Sequence, residues 1–339
     1  MALIQIIYTI FALEAMRDSR GGRGCFFAEL LIYYYRSSME RGIGSMTEEQ
    51  KRILAEHEAK YMKFMPDLEA MGEDGFTSCG GNCSACSSDC DSRQEDQKTP
   101  KKAGRIVAVF SGKGGTGKSV ITCLLADRLQ RMGKKVGVMD ADLANPTIHY
   151  LYGKLDRVTA EGDKLLPLTA DSGVVFISQG NVEKDPNQPL LQEGKDIAVG
   201  ALNFYLGVKW PEDLDFLLVD MPSGIGDVPL QIGTIIPFDG AVCVSNPSDL
   251  TDFLVKKSVG LMKMIMIPVV GVVENKAYLS TENGDILLGT DPVEHAENVG
   301  APLIATVPLS LELSVMADFG RISDADVPEL APAAELLTR

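Results

Sequence analysis

The chain has 339 residues, 45% of them hydrophobic, which is enough for one large domain with extensions and a sizeable buried core. Its formal charge of −15 argues against a nucleic acid or an anionic membrane as main partner, because both require clustered Lys and Arg. Any anion site must therefore be local.

In chain order, residues 1–45 join two apolar patches, Leu3 to Leu13 and Phe26 to Tyr35, through a basic, glycine-rich stretch from Arg17 to Arg23. The first of these lacks the basic flank of a signal peptide, and no run has the length needed to span a bilayer. At Met46 the chain changes to Thr47-Glu48-Glu49-Gln50-Lys51, an ordinary soluble N-terminus with Thr47 as a helix cap. The expectation is that translation starts at Met46 and that 1–45 is a mis-assigned extension; a real extension that binds a partner is the alternative. A second region, 46–100, opens with a charged helical pattern from Glu48 to Met65, stopped by Pro66. From about residue 72 it has the Gly, Ser, Asp and Lys composition of a flexible connector.

Four of the seven cysteines lie in that connector, Cys79, Cys83, Cys86 and Cys90, spaced C-x3-C-x2-C-x3-C. Such clustering suits a metal better than a disulfide framework and points to a reducing, cytoplasmic setting. Four thiolates in a glycine-rich stretch can wrap one iron-sulfur cluster, of which 4Fe-4S is the expected type, and zinc with four thiolates is the alternative. Cys123 and Cys243 read as small core residues. His57, His149 and His295 have no ligand or triad spacing and read as surface or packing residues.

The third region, 101–339, begins with the strand-like run Arg105 to Val109, then Ser111-Gly112-Lys113-Gly114-Gly115-Thr116-Gly117-Lys118-Ser119, then a helical pattern to Met132. A polyphosphate needs a concave set of backbone N–H groups, and side chains at Gly112, Gly114, Gly115 and Gly117 would block its approach. The helix N-terminus adds its dipole and free N–H groups. Lys118 suits the terminal phosphates of ATP and the Ser119 hydroxyl suits Mg2+. Further apolar runs at 135–140, 174–178, 216–220, 240–245 and 269–273 alternate with helical or polar segments. That alternation predicts an α/β fold, a mostly parallel sheet with helices on both faces. Two acidic stations close predicted strands, Asp140-Ala141-Asp142 and Asp220, the latter followed by Met221-Pro222-Ser223-Gly224-Ile225-Gly226-Asp227. Asp220 suits the water shell of a phosphate-bound Mg2+, and the glycine turn after it can move when the terminal phosphate leaves. Asn145-Pro146-Thr147 is the expected cap of the next helix.

With Val272-Val273-Glu274-Asn275 and Val307-Pro308-Leu309 added, these motifs resemble the Mrp family of ATP-dependent iron-sulfur cluster carriers, within the MinD and ParA group of deviant phosphate-loop ATPases. The resemblance spans roughly Lys101 to Leu330. It implies a homodimer in which Lys113 reaches the partner's phosphates, Asp142 orients or activates the attacking water, and Asn275 contacts adenine. It also implies client apo-proteins as partners, while the acidic balance argues against nucleic acid and membrane. The family usually carries a C-x2-C pair shortly after the Val-Glu-Asn segment, where two subunits share a bridging cluster, but here the chain runs Lys276-Ala277-Tyr278-Leu279-Ser280-Thr281-Glu282-Asn283-Gly284. Cluster chemistry then depends on the N-terminal quartet. A nickel or other metallocluster insertion ATPase of the same fold, and a MinD- or ParA-like positioning switch, are the rival readings.

Overall fold

The computed structural model describes residues 99–183 and 194–339. The expectations placed on residues 1–98, including the helix after Met46 and the cysteine quartet, lie outside the described residues. Twelve strands are described: β1 Arg105–Phe110, β2 Val136–Asp140, β3 Ala160–Glu161, β4 Lys164–Leu165, β5 Leu168–Thr169, β6 Val175–Ile177, β7 Phe216–Asp220, β8 Gly240–Ser245, β9 Val269–Asn275, β10 Tyr278–Thr281, β11 Gly284–Leu287 and β12 Leu303–Val307. The described helices are α1 Lys118–Arg131, α2 Ile148–Leu151, α3 Gly194–Gly207, α4 Asp227–Ile235, α5 Asp249–Met264, α6 Pro292–Val299, α7 Leu311–Asp318 and α8 Ala331–Thr338.

Eight strands form one sheet in the order β12-β9-β8-β1-β7-β2-β6-β5. Every pairing is parallel except that of β5 with β6. The phosphate-loop strand β1 lies between β7 and β8, and the chain passes from β7 on one side of it to β8 on the other, the kind of reversal point at whose carboxyl end a crevice forms. The six apolar runs expected to be strands all appear. The strand Leu303–Val307, the β10–β11 hairpin and the short pairs at 160–169 were not expected. Leu303–Val307 lies within a short mixed segment whose period does not separate strand from loop.

Burial on both faces explains why the central strands read as continuous apolar runs. Val107, Val109, Val138, Leu218 and Val244 join one core cluster with Ile121, Leu125 and Leu129 of α1 and with Ala333, Ala334 and Leu337 of α8. The alternate residues Ile106, Ala108, Leu217, Val219 and Cys243 are buried as well, against the opposite layer. Cys123 and Cys243 are both buried free thiols, as the sequence suggested. Burial pushes both thiols up, which suits core packing and not metal ligation.

Within this core α1 also buries Asp127. One carboxylate oxygen accepts from the Ser172 hydroxyl at 2.5 Å and the Tyr152 hydroxyl at 3.4 Å, while the other has no partner. Burial pushes its carboxyl up from 3.8 to about 6, against the pull of Ser172 and Arg131. The folded chain therefore takes up a proton, a contribution to stability that is lost as pH rises through about 6. Asp127→Asn keeps the oxygen that accepts from Ser172 and removes the buried charge. It should stabilise the fold by on the order of 1–3 kcal/mol at pH 8 and by little at pH 4. The check is a melting-temperature difference between variant and wild type that widens as pH rises.

Candidate nucleotide site

The site begins where β1 ends and α1 starts. Gly115 and Gly117 have positive φ, 82° and 86°, a conformation that costs any residue with a Cβ. Gly114 and Gly115 are exposed, and a Cβ on Gly115 would meet no heavy atom within 4 Å, so the loop's concave side is open. At its base the packing is tight: a Cβ on Gly112 would lie 2.7 Å from the backbone nitrogen of Val255. A Cβ on Gly117 would lie 2.3 Å from Asn275 Nδ2. The glycines thus serve two needs, ligand access at the rim and close backbone packing beneath. An open glycine cradle, together with the buried and unpartnered hydroxyl of Thr116, fits a bound polyphosphate.

The loop's polar side chains converge on Asp220 at the end of β7. Lys118 Nζ lies 2.7 Å from Asp220 Oδ1, and the two side chains are 6% and 0% exposed. The Ser119 hydroxyl donates to Asp220 Oδ2 at 2.6 Å. Thr122, one turn along α1, faces Asp220 Oδ1 at 3.0 Å and Lys118 O at 2.9 Å with its single proton. Sequence reasoning missed Thr122, although its i+4 spacing from Lys118 was readable. Paired hard oxygen donors at Ser119 and Asp220 fit Mg2+. The turn after Asp220 is tied to the loop, because Gly224 N donates to Ser111 O at 2.9 Å.

Asp140 stands beside Asp220 across the β2–β7 ladder. Its Oδ1 accepts from Asp142 N at 3.3 Å, and its Oδ2 accepts from Thr147 N at 3.1 Å, Ile148 N at 3.2 Å and Ser178 Oγ at 2.8 Å. Thr147 holds the N-cap position of α2, as the sequence reading required, but its own side chain makes no capping bond. Asp140 supplies that acceptor instead, from seven residues upstream. Burial and then Asp220 push the Asp140 carboxyl up, while Ser178 and Lys118 pull it down.

Asp142 is half-buried and sits on the loop that Asp140 closes. Burial is the main cause that raises its carboxyl, with Lys118 opposing. With Asn145, Ile197, Pro222, Ser223 and Asp227 it lines a cavity of about 300 Å³. Lys113 is half-buried at the loop's rim, and among the described residues no hydrogen bond or ion pair engages its ammonium. Asn275 is buried at the end of β9, where Nδ2 donates to Thr116 O at 2.8 Å and Oδ1 accepts from Lys276 N at 3.0 Å. Both ends of its amide therefore contact protein, and its visible task is to support the loop.

The structure thus brings Gly112, Lys113, Gly114, Gly115, Thr116, Gly117, Lys118, Ser119, Asp142, Asp220 and Asn275 to one edge of the sheet. Cys79, Cys83, Cys86 and Cys90 lie outside the described residues. Where a downstream cysteine pair would stand, β10 and β11 form an antiparallel hairpin whose turn is fixed by Thr281 Oγ1 donating to Gly284 O at 2.7 Å. Two of the three histidines are buried, as packing residues would be, and both have polar partners. His149 faces Ser178, and His295 bridges Glu274 and Asp252. Among the described residues no helix is long and apolar enough to cross a membrane.

Gly117→Ala combines the positive-φ cost, about 1 kcal/mol, with displacement of Asn275, so it should abolish nucleotide binding and lower the melting temperature. Gly133→Ala, at φ 81° with open space around it, should lower the melting temperature slightly and leave nucleotide binding intact. Calorimetry with ATP on both variants checks the pair.

Comparison with known proteins agrees with this geometry. Residues 102–337 match the family model described as ParA: NUBPL iron-transfer P-loop NTPase. An iron-sulfur cluster carrier protein of Clostridium perfringens is 33% identical over 72% of this chain and 94% of its own length. One of Methanocaldococcus jannaschii is 33% identical over 71% of this chain and 89% of its own. Among solved structures, the nucleotide-binding protein from Archaeoglobus fulgidus, in complex with ADP, superimposes with a TM-score of 0.59 at 33% identity. That match covers 66% of this chain and 90% of the other. The septum site-determining protein MinD from Pyrococcus horikoshii, complexed with Mg-ADP, shares the fold at a TM-score of 0.52 and 22% identity, covering 69% of this chain and 96% of its own.

Proposed function

The chain belongs to the NUBPL iron-transfer family of ParA P-loop NTPases, and on that premise we propose that it binds and hydrolyses ATP to hold an iron-sulfur cluster and pass it to client apo-proteins. The observation that carries this reading is the convergence of Lys118, Ser119 and Thr122 on the buried Asp220 beside an open glycine cradle.

The chemistry follows from electrostatics. Phosphoryl transfer needs little covalent help from the protein and much positive charge, fixed in place, on the oxygens where negative charge develops. Lys118 is held at the base of the cradle by Asp220, and an arriving phosphate competes for it. Ser119 and Asp220 would hold Mg2+, which when bound neutralises phosphate charge. Asp142 orients the attacking water from the loop after β2. Lys113, with its ammonium unengaged at the rim, completes the site of a second copy, so the working unit is a homodimer. The adenine contact of Asn275 belongs to the same proposal and requires one end of its amide to exchange a protein partner for the base. The cluster is cargo, held by Cys79, Cys83, Cys86 and Cys90, with 4Fe-4S the expected type.

Asp142→Asn should keep ATP affinity within about twofold and lower turnover at least tenfold. Lys113→Ala and Lys118→Ala should each be inactive alone. Mixed and allowed to exchange subunits, they should regain about a quarter of wild-type turnover, since half the dimers then hold one complete site. No recovery on mixing would remove the shared site. Anaerobic reconstitution should load iron and sulfide on the wild type and much less on the Cys83→Ala, Cys86→Ala variant. Equal iron in both would remove the quartet, and zinc in place of iron would change the cargo.

A further inference from the structure

The Asp142 loop is closed by a carboxylate, and that carboxylate is itself held from behind. Ser178, fully buried at the end of β6, spends its only proton on Asp140 Oδ2 at 2.8 Å. His149 Nδ1 lies 3.1 Å from the same Ser178 oxygen. With Asp140 ionised the serine proton is committed to it, and the imidazole is then the donor, with its proton on Nδ1. Nε2 is then a bare lone pair, and it is buried with no partner. An unpartnered buried nitrogen is costly, and its retention calls for a compensating role. The ring's place is reserved by Gly180, where a Cβ would lie 2.1 Å from His149 Cε1. Burial holds the imidazole below its ordinary value, so it is the neutral donor this chain of bonds needs.

We infer that His149 and Ser178 are positioning residues for ATP hydrolysis: they fix the Asp140 carboxylate so that it clamps both ends of the loop carrying Asp142. The inference rests on the ATPase reading above. Oδ1 holds the amide of Asp142 and Oδ2 the amides of Thr147 and Ile148, so rotation of this one carboxylate changes the whole loop. Ser178 opposes that rotation, and His149 keeps the serine hydroxyl from turning away. None of these groups needs to touch nucleotide. Their effect reaches the reaction through the placement of Asp142, where a displacement of an ångström is expensive in rate.

The test uses the full-length chain with Ser178→Ala, His149→Phe, His149→Gln and His149→Asn. An asparagine amide nitrogen reproduces Nδ1, whereas that of glutamine reproduces Nε2. The first three variants should lose about tenfold in kcat with KM for ATP and affinity for a fluorescent ATP analogue within about twofold, and His149→Asn should stay within about twofold of wild type. Hydrogen exchange at the Thr147 and Ile148 amides of the nucleotide-free chain should quicken in the first three and not in the fourth. Unchanged kcat and exchange in Ser178→Ala, equal impairment by asparagine and glutamine, or a loss of affinity matching the loss of kcat would each overturn the inference. A wild type that hydrolyses no ATP would instead sink the ATPase reading. Exchange at the two amides would then decide whether the clamp exists.

Discussion

The site depends on one buried ion pair, Lys118 with Asp220. Two charges withdrawn from water are expensive unless each finds further polar partners. Asp220 finds them in the hydroxyls of Ser119 and Thr122, so a single carboxylate gathers three residues of the first turns of α1. The sheet makes this possible, since β7 lies directly beside β1 and delivers Asp220 to the base of the loop. Removing the partner would leave a buried charge uncompensated, which favours replacing it with an anionic ligand. The loop is thus held in an arrangement that a phosphate can enter by exchange.

Next to that pair the β2–β7 ladder places a second carboxylate, Asp140. Two acids so close repel, and the structure separates their tasks by giving them different donors. Asp220 faces the loop and its hydroxyls, while Asp140 faces the backbone amides of the segment that follows it. One closed strand end therefore organises the cradle and the neighbouring one organises the loop around Asp142. The tie from Gly224 to Ser111 adds the turn after β7 to the same assembly. Three segments that would have to respond to a departing phosphate are thus bonded to one another by a few hydrogen bonds, the arrangement expected of a switch.

The far side of the loop is supported differently. Asn275 closes β9 and holds Thr116 O, and the chain then turns at once into the β10–β11 hairpin. Leu279, Ile286 and Leu287 are exposed on that hairpin, and its tip carries Glu282, Asn283 and Gly284 where the resemblance would have placed a cysteine pair. The residues proposed to bind nucleotide all lie among the described residues. The four cysteines proposed to hold the cargo lie in the segment that precedes them in sequence, outside the described residues.

Legibility followed the range of the interactions. The phosphate loop could be read from its glycines because steric access and positive φ act within a few residues, and the central strands could be read because burial on both faces leaves no polar position between them. Asp220 was legible as an acid closing an apolar run, whereas the role given to Asp142 came from the family resemblance. Asp140 was visible as a residue, but its role as the acceptor for α2 was not, because a local cap at Thr147 was the simpler expectation. His149 and Ser178 are 29 residues apart, and His295 meets Glu274 across 21. No spacing rule links such pairs, so the histidines passed as packing residues. By itself the sequence determined the fold class, the phosphate loop and the acids at the strand ends, since each rests on local sterics or on hydrophobic period. Only the tertiary structure decided which carboxylate holds which donor, because hydrogen-bond partners buried across a sheet are set by strand order, and strand order is not written in any one segment.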